Sequence, residues 1–220
     1  ERTFILKKFN QNAYAATFIG QVLAYPFLIA TCLQISWNFQ LIALLLMTLC
    51  LAGTGLVKRY DLMLLLAAIM GILGAINQWL LLPLIAVQLV ITLLLRTQKM
   101  PSQWINTVIF GQALLAQVII IYACLHFFNR TMLLDLALLY LPALIGLWAD
   151  HLPKWTDLIL LLVVGGIGYF QQRMNLIAIG GMLVVALAIS SRRSFKLPAY
   201  SYQFSPLVLA LLLYLTRLHG

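Results

Sequence analysis

The chain has 220 residues, of which 64% are hydrophobic and 9% are charged, and its mean hydropathy is +1.01. Soluble domains average roughly 45–50% apolar and about 25% charged residues, so this composition argues against a water-soluble fold and predicts an integral membrane protein in a lipid bilayer. The net charge of +9 does not indicate a nucleic-acid partner, because the Lys and Arg residues lie in short gaps between apolar runs.

Nine apolar segments follow one another along the chain, and each is a candidate transmembrane helix. They are residues 13–35, 41–57, 62–76, 79–95, 104–128, 131–149, 158–170, 176–190 and 206–217. A bilayer core requires roughly 20 apolar residues of helix, so the shorter segments need a locally thinner bilayer or helical extensions into the gaps. The predicted fold is therefore all-α, a polytopic transmembrane bundle of about nine helices.

The basic residues alternate with the spans and predict the orientation. With a cytoplasmic N-terminus, the inside gaps hold eleven of the fourteen, namely Arg2, Lys7, Lys8, Lys58, Arg59, Arg96, Lys99, Lys154, Arg192, Arg193 and Lys196. The outside gaps hold Arg130, Arg173 and Arg217. Since cytoplasmic loops are enriched in Lys and Arg, this asymmetry predicts a multi-pass protein with its N-terminus in the cytoplasm.

Two halves of the chain resemble each other. The stretch "LVKRYDLMLLL" (56–66) matches "LPKWTDLILLL" (152–162) at an offset of 96 residues, and "KMP" (99–101) answers "KLP" (196–198). We predict a cytoplasmic N-terminal segment (1–12), two tandem four-helix repeats (13–101 and 104–198) and a terminal transmembrane helix (199–220). Because four helices return the chain to the same side, the repeats are expected to be parallel and related by an axis along the membrane normal.

The first helix of each predicted repeat carries a Gly-Gln pair, Gly20-Gln21 and Gly111-Gln112. Gly permits close approach of two backbones and Gln can hydrogen-bond across the contact, so these residues either join helices or line a cavity. The glycines at 165–168 and 180–181 lie within apolar helices and are expected to serve close packing. Prolines in three segments, Pro26, Pro83 and Pro142, are expected to interrupt helices.

These Gly-Gln helix openings, with short leucine-rich helices and basic cytoplasmic turns, resemble a family of uncharacterised bacterial polytopic inner-membrane proteins, a domain of unknown function. The resemblance implies a bacterial inner (plasma) membrane location and carries no activity.

No constellation of side chains indicates an enzyme, a cofactor or a metal site. The three histidines, His126, His151 and His219, are far apart, and no paired carboxylates lie within the apolar segments. The three cysteines, Cys32, Cys50 and Cys124, show no metal-binding or redox spacing and are expected to be buried free thiols. We therefore predict no catalytic residues, no metal and no cofactor.

Asp135 is the one carboxylate with apolar neighbours on both sides, in "TMLLDLALLY" (131–140). It lies five residues into the sixth segment, which places it at a depth of about 6–8 Å from the outer end. His126 and Arg130 are its nearest candidate partners along the chain. Embedded ionisable residues mark ion pairs or substrate paths, so Asp135 is either a structural ion pair with Arg130, a proton or substrate site, or a residue at the membrane edge.

Two functions fit these features. The first is a transporter, permease or channel-like protein, with Asp135, His126, Arg130, Gln21, Gln112 and Gln117 as candidate binding or transport residues. The second is a structural or assembly subunit of a larger membrane complex, in which the same glutamines join helices and other membrane subunits are the partners. Glu1 stands where a Met would begin a full-length chain, so we expect this chain to be an excerpt of a longer protein.

Overall fold

The computed structural model describes residues 15–23, 37–57, 60–97, 101–126, 129–153, 155–190 and 204–218. Within these ranges the chain forms nine α-helices and one short 3₁₀ turn, with no strand. The helices are α1 (15–23), α2 (Phe39–Gly53), α3 (Tyr60–Gly74), α4 (Leu81–Thr97), α5 (Ser102–Leu125), α6 (Arg130–Trp148), α7 (Thr156–Phe170), α8 (Leu176–Ser190) and α9 (Ser205–Leu218). The 3₁₀ turn, Ala149–His151, follows α6.

The all-α prediction is confirmed over the described residues. Each apolar segment from 41–57 onward contains one helix, and no helix end differs from the predicted end by more than about four residues. The first predicted segment, 13–35, is described only over residues 15–23, and the predicted N-terminal segment 1–12 lies outside the described residues.

Two described helices are long and apolar enough to cross a membrane, judged by length and composition: Trp104–Leu125 in α5 and Arg130–Trp148 in α6. The remaining apolar helices of the described chain contain 10–17 residues. A helix rises 1.5 Å per residue, so a helix of 15 residues, such as α3, is roughly 22 Å long.

The chain divides into two compact units, residues 1–127 and residues 128–220. The first unit contains α1–α5, and the second contains α6–α9. This boundary is defined by packing and not by sequence similarity. It therefore does not test the tandem repeat, whose predicted boundary lies between residues 101 and 104, and the repeat stays a prediction.

The first unit is organised around the α2–α3 pair, with α4 between α3 and α5, and with α5 also against α2. Gly71 and Gly74 on α3 permit this packing. A Cβ at Gly74 would lie 2.7 Å from the Leu44 side chain of α2, and a Cβ at Gly71 would lie 2.6 Å from Ile85 of α4. Both glycines therefore allow neighbouring helices to approach closely, as small residues commonly do where helices pack.

The second unit is organised around α6, which packs against α7, α8 and α9, while α8 also contacts α7 and α9. Gly146 of α6 faces α8, where an added Cβ would lie 3.0 Å from Cβ of Ile189 and 3.1 Å from the backbone oxygen of Ala186. Gly181 of α8 is similarly covered by the Leu212 side chain of α9. Small residues thus set the spacing of α8 against both of these neighbours.

The expectation that glycines serve packing holds for some positions and is wrong for others. Gly165 and Gly168 contact neighbouring side chains, whereas a Cβ at Gly111, Gly166 or Gly180 would meet no atom of the described residues within 4 Å. Gly111 therefore makes no close contact with a helix in the described part of the chain, whereas its neighbour Gln112 does. The Gly111-Gln112 pair joins helices through the side-chain amide and the backbone oxygen of Gln112.

The prolines also behave differently from one another. Pro142 lies inside α6, which continues through it from Arg130 to Trp148, so the expectation that this proline interrupts a helix is wrong. Pro83 is the third residue of α4, where no intrahelical N–H bond is lost, so it begins a helix and does not break one. Pro26 lies outside the described residues. Cys50 and Cys124 are free thiols but only partly buried, and Cys32 is not described.

Candidate functional site

A buried ion pair joins α6 to α9. Asp135 is only 3% exposed, and both guanidinium nitrogens of Arg217 approach its carboxylate, with Nη2 2.6 Å from Oδ1 and Nη1 3.3 Å from Oδ2. This is a two-point contact of the kind that the planar guanidinium forms with carboxylates. The Arg217 side chain is 30% exposed, so the pair connects the interior to the surface.

A second arginine completes the cluster. Nη1 of Arg173 lies 3.8 Å from Oδ2 of Asp135, which is an ion-pair distance but too long for a hydrogen bond. The backbone oxygen of Arg173 accepts a hydrogen bond of 3.4 Å from Nη2 of Arg217. One carboxylate therefore faces two guanidinium groups, and we call Asp135, Arg173 and Arg217 the arginine cluster.

The beginning of α6 places Asp135 inward. Asn129 caps the helix, since its side-chain oxygen accepts a hydrogen bond of 3.1 Å from the backbone N–H of Thr131. Asp135 lies in the second turn after this cap, next to the buried Leu136 and one turn before the buried Leu139. A carboxylate in such apolar surroundings requires opposite charge, which the two arginines supply.

The turn between α7 and α8 places Arg173. The N–H of Arg173 donates to the oxygen of Gly168 at 2.8 Å, and the N–H of Gln172 donates to the oxygen of Tyr169 at 2.9 Å. Gln172 has φ of 55°, in the left-handed region. This pair of bonds with a left-handed residue is the Schellman ending of a helix, which reverses the chain direction sharply. Arg173 follows immediately and is fixed by the turn.

The chain re-enters helix directly after this turn. The Oδ1 atom of Asn175 accepts a hydrogen bond of 2.9 Å from the N–H of Ala178, which caps the beginning of α8. Arg217 reaches the same turn from the last residues of α9. Three parts of the chain therefore converge on one carboxylate: the second turn of α6, the α7–α8 turn and the end of α9.

A cavity of about 600 Å³ opens beside the arginine cluster, within the second unit. Arg173 and Arg217 line it together with three polar side chains, Gln172, Asn175 and Thr216. Tyr169, Phe170 and Met174 supply its apolar wall. Ligand sites commonly combine apolar walls with a few convergent polar groups in a volume of roughly 300–1,000 Å³, and this cavity fits that description.

The charge of the cluster is unbalanced. One carboxylate faces two guanidinium groups, so the three side chains carry a net charge of +1. Arg217 directs two N–H donors at Asp135, whereas no described hydrogen bond engages the guanidinium of Arg173. The cavity wall therefore presents a positive charge with donors available to a ligand.

The sequence-predicted partners of Asp135 lie elsewhere. His126 ends α5, in the first unit, with a left-handed φ of 61°, and its Nδ1 contacts the side-chain amide of Gln78. Arg130 is exposed at the first residue of α6. The sequence prediction considered the candidate partners nearest to Asp135 along the chain. The described ion pairs of Asp135 instead involve Arg217 and Arg173, which are remote in sequence.

The predicted glutamines join helices inside the first unit. Gln117 of α5 donates from Nε2 to the backbone oxygen of Gln21 in α1. Gln112 of α5 donates to the hydroxyl of Thr92 in α4 at 2.8 Å, and Gln88 of α4 donates to the backbone oxygen of Gln112 at 3.1 Å. All these side chains are buried. Of the two interpretations left open by the sequence, this geometry favours helix adhesion.

Arg173 and Arg217 were not among the predicted site residues, although the sequence contained a signal for them. Both belong to the small set of basic residues predicted to lie outside, on the side predicted for the end of the sixth segment that carries Asp135. A carboxylate and two cations at one predicted depth could have been grouped on that basis. The Schellman turn that places Arg173 was not predictable from the charge pattern, because it depends on the backbone conformation at Gln172.

Among the described side chains, no group of three His, Cys, Asp or Glu residues could hold a metal ion. Comparison of the chain with protein-family models, with curated proteins and with solved structures finds no match. The resemblance to uncharacterised bacterial membrane proteins therefore stays a prediction, and the function is argued from the geometry.

Proposed function

We propose that this chain is a polytopic protein of a bacterial inner membrane that binds a solute in the cavity beside the arginine cluster, as a transporter or permease does. The observation that carries the proposal is the buried Asp135, held by two arginines in the wall of a cavity of about 600 Å³. Ionisable side chains embedded in membrane helices are found chiefly where an ion or substrate passes.

The positions of tryptophan support the membrane setting. All five tryptophans lie at helix ends: Trp37 and Trp79 two residues before α2 and α4, Trp104 in the first turn of α5, Trp148 at the end of α6 and Trp155 just before α7. All except Trp148 are exposed. Tryptophan concentrates at the two membrane–water interfaces, where its ring contacts hydrocarbon and its N–H contacts water.

The exposed faces of the short helices support it as well. Leu62, Leu65, Ile69 and Ile72 follow one another at helical spacing on α3, and all are exposed. On α7, Ile159, Val163 and Ile167 form a similar exposed row. Soluble proteins rarely expose contiguous apolar surfaces of this extent, whereas a helix facing lipid requires them.

The charge pattern supports the proposed orientation. Arg173 and Arg217, which the topology assigns to the outside, meet at one end of the second unit. That placement is what the proposed orientation requires, with the N-terminus cytoplasmic and the cavity opening near the outer surface. Short helices such as α3 then span with the help of flanking residues or a thinner bilayer.

Accessibility of the cavity tests the transport function. In a variant with serine at Cys32, Cys50 and Cys124, Thr216→Cys places one thiol in the cavity wall. We expect a membrane-impermeant maleimide to label it both in intact spheroplasts and in inverted vesicles, because a transporter exposes its site to each side in turn. A matched control, Val163→Cys, places the thiol on an exposed apolar part of α7 and should react from neither side.

Labelling of Thr216→Cys from the outer side alone would contradict alternating access. Labelling of Val163→Cys equal to that of Thr216→Cys would contradict the membrane placement of α7. Both measurements use the full chain and require no knowledge of the substrate.

A structural or assembly subunit is the second candidate, and the buried glutamines of the first unit favour it. Gln88, Gln112 and Gln117 all bond to neighbouring helices, so their described contacts form helix joints. This role predicts stable partners: extraction in a mild detergent should yield a complex of fixed composition, heavier than the 24.7 kDa chain. Recovery of the chain free of other proteins would favour the transporter.

A further inference from the structure

We infer that the cavity of the second unit binds an oxyanion, a phosphate group or a group of the same shape and charge, with Arg173 as its principal ligand-binding residue. This inference rests on the proposed function, because it names the ligand of the same site. It rests on three properties of the cavity wall: its charge, its available donors and its mixed polar and apolar lining.

The charge selects an anion. Within the arginine cluster the carboxylate of Asp135 neutralises only one of two guanidinium groups. A cationic ligand would meet a net positive wall, and a neutral ligand would leave that charge uncompensated in partly buried surroundings. An anion removes the imbalance.

The donors select an oxyanion. The guanidinium of Arg173 has five N–H donors in a planar fork, and it approaches Asp135 only to 3.8 Å. A tetrahedral phosphate or a planar carboxylate can accept two parallel hydrogen bonds from such a fork. Thr216, Gln172 and Asn175 line the same space and offer further polar groups to the remaining oxygens.

Asp135 and Arg217 act differently from Arg173. Arg217 directs both terminal nitrogens at Asp135, and it also donates to the backbone oxygen of Arg173. This arrangement holds the α7–α8 turn against α9 and keeps Arg173 beside the cavity. Asp135 and Arg217 are therefore positioning residues, and Asp135 additionally competes with the ligand for positive charge.

The apolar side of the cavity leaves two sources for the oxyanion. Tyr169 and Phe170 line it, Phe170 is 84% exposed, and Leu176 and Ile177 at the beginning of α8 are exposed as well. An acyl chain could lie along this surface with its headgroup at Arg173, or a free oxyanion could occupy the polar part alone. The shared chemistry is the phosphate group, and the experiment separates the sources.

The test uses the full chain reconstituted in phosphatidylcholine nanodiscs. Its Tm is measured with inorganic phosphate against chloride at equal ionic strength, and again with phosphatidylglycerol included in the nanodisc. A ligand that binds only the folded protein raises Tm with its concentration, which gives an apparent Kd. The variants are Arg173→Gln, Arg173→Lys and, as a control of equal charge change, Arg130→Gln at the exposed beginning of α6.

We expect Arg173→Gln to raise the apparent Kd about tenfold or more, because a hydrogen-bonded charge pair with the ligand is lost. Arg173→Lys should keep part of the affinity, since it keeps the charge but not the fork. Arg130→Gln should leave the Kd within about twofold.

A rise in Tm that depends on Arg173 and occurs with inorganic phosphate in phosphatidylcholine identifies a soluble oxyanion. A rise in Tm that occurs only with phosphatidylglycerol identifies a lipid headgroup. Either supports the inference. No rise in Tm with either phosphate source, or equal changes of the apparent Kd in Arg173→Gln and Arg130→Gln, would overturn the inference. Labelling of Thr216→Cys from both sides without any anion effect would overturn this inference alone, while an Arg173-dependent anion effect with one-sided labelling would overturn transport alone.

Discussion

The side chains of Arg217 and Asp135 are 82 residues apart in sequence, and their nearest atoms, Nη2 and Oδ1, are 2.6 Å apart. The contact closes the second unit by joining its first helix to its last. Because Asp135 is buried and Arg217 is partly exposed, the two partners differ in what their removal leaves behind. Removal of the cation leaves a carboxylate in apolar surroundings.

We expect Arg217→Gln to lower the free energy of unfolding by about 1–3 kcal/mol. Breaking a fully buried pair is commonly worth 3–5 kcal/mol, and the exposure of Arg217 together with the nearby Arg173 reduces that value. Chemical denaturation in a neutral detergent measures the change. The double variant Arg217→Gln with Asp135→Asn should recover at least half of the loss, since no buried charge then lacks its partner. If the losses of unfolding free energy in the two single variants simply add in the double variant, the pairing is contradicted.

Gly146 sets the distance between α6 and α8. We expect Gly146→Ala to destabilise the protein by about 1–3 kcal/mol, because the new methyl would meet the Cβ of Ile189 and the backbone oxygen of Ala186, neither of which can rotate away. Gly166→Ala on α7 is the matched control. Its methyl meets no atom within 4 Å among the residues that the structure describes, so it should be neutral or stabilising by up to about 1 kcal/mol. Thermal unfolding of both variants in one detergent gives the comparison.

Two threonines on α4 test the glutamine network. Thr92 and Thr97 both donate to the oxygen four residues earlier, at 2.8 and 2.9 Å, but only Thr92 has a described bond from Gln112. Thr92→Val should lower the free energy of unfolding by about 1 kcal/mol, and Thr97→Val by a few tenths at most. Equal effects of the two substitutions would show that the Gln112 contact does not stabilise the helix pair.

Gln172 adopts a left-handed conformation that glycine adopts without strain. Gln172→Gly should therefore raise the free energy of unfolding by roughly 1 kcal/mol, while Gln172→Ala should not, because alanine retains the steric penalty of a Cβ at φ of 55°. Denaturant titration separates the two. A stabilising alanine variant would assign the effect to the lost side chain and not to the backbone.

The topology has its own test. A reporter fused in the 96–103 gap should remain cytoplasmic, and one fused in the 36–40 gap should be exported. The reason is that the basic residues concentrate on the side of the 96–103 gap. Activity of an alkaline phosphatase fusion in intact cells reads out export. Both fusions on one side of the membrane would contradict the proposed number of spans.

The helices were predictable from the sequence because each is a continuous apolar run between polar or basic residues. α7 ends at Phe170 and α8 covers 176–190, as the hydrophobic pattern predicts. The ion pairing of Asp135 was one of the interpretations that the sequence left open, since a lone carboxylate in such a run requires a partner. Local composition is sufficient for both statements.

The identity of the partners was not predictable in the same way. Arg130 is five residues from Asp135 and Arg217 is 82 residues away, and proximity along the chain favoured the wrong one. The correct choice depends on how α9 packs on α6 and on the left-handed turn at Gln172. The first is a tertiary contact and the second is a local backbone conformation, and neither hydrophobic periodicity nor the charge pattern encodes them.

The place of Arg217 in the last described helix has a consequence for biosynthesis. Ribosomes add roughly 5–20 residues per second, so the 82 residues between Asp135 and Arg217 take about 4–16 s to make. For that interval the new α6 carries a carboxylate whose two-point partner does not yet exist. Because an unpaired carboxylate in apolar surroundings is destabilising, we expect the second unit to become stable only after α9 has been made.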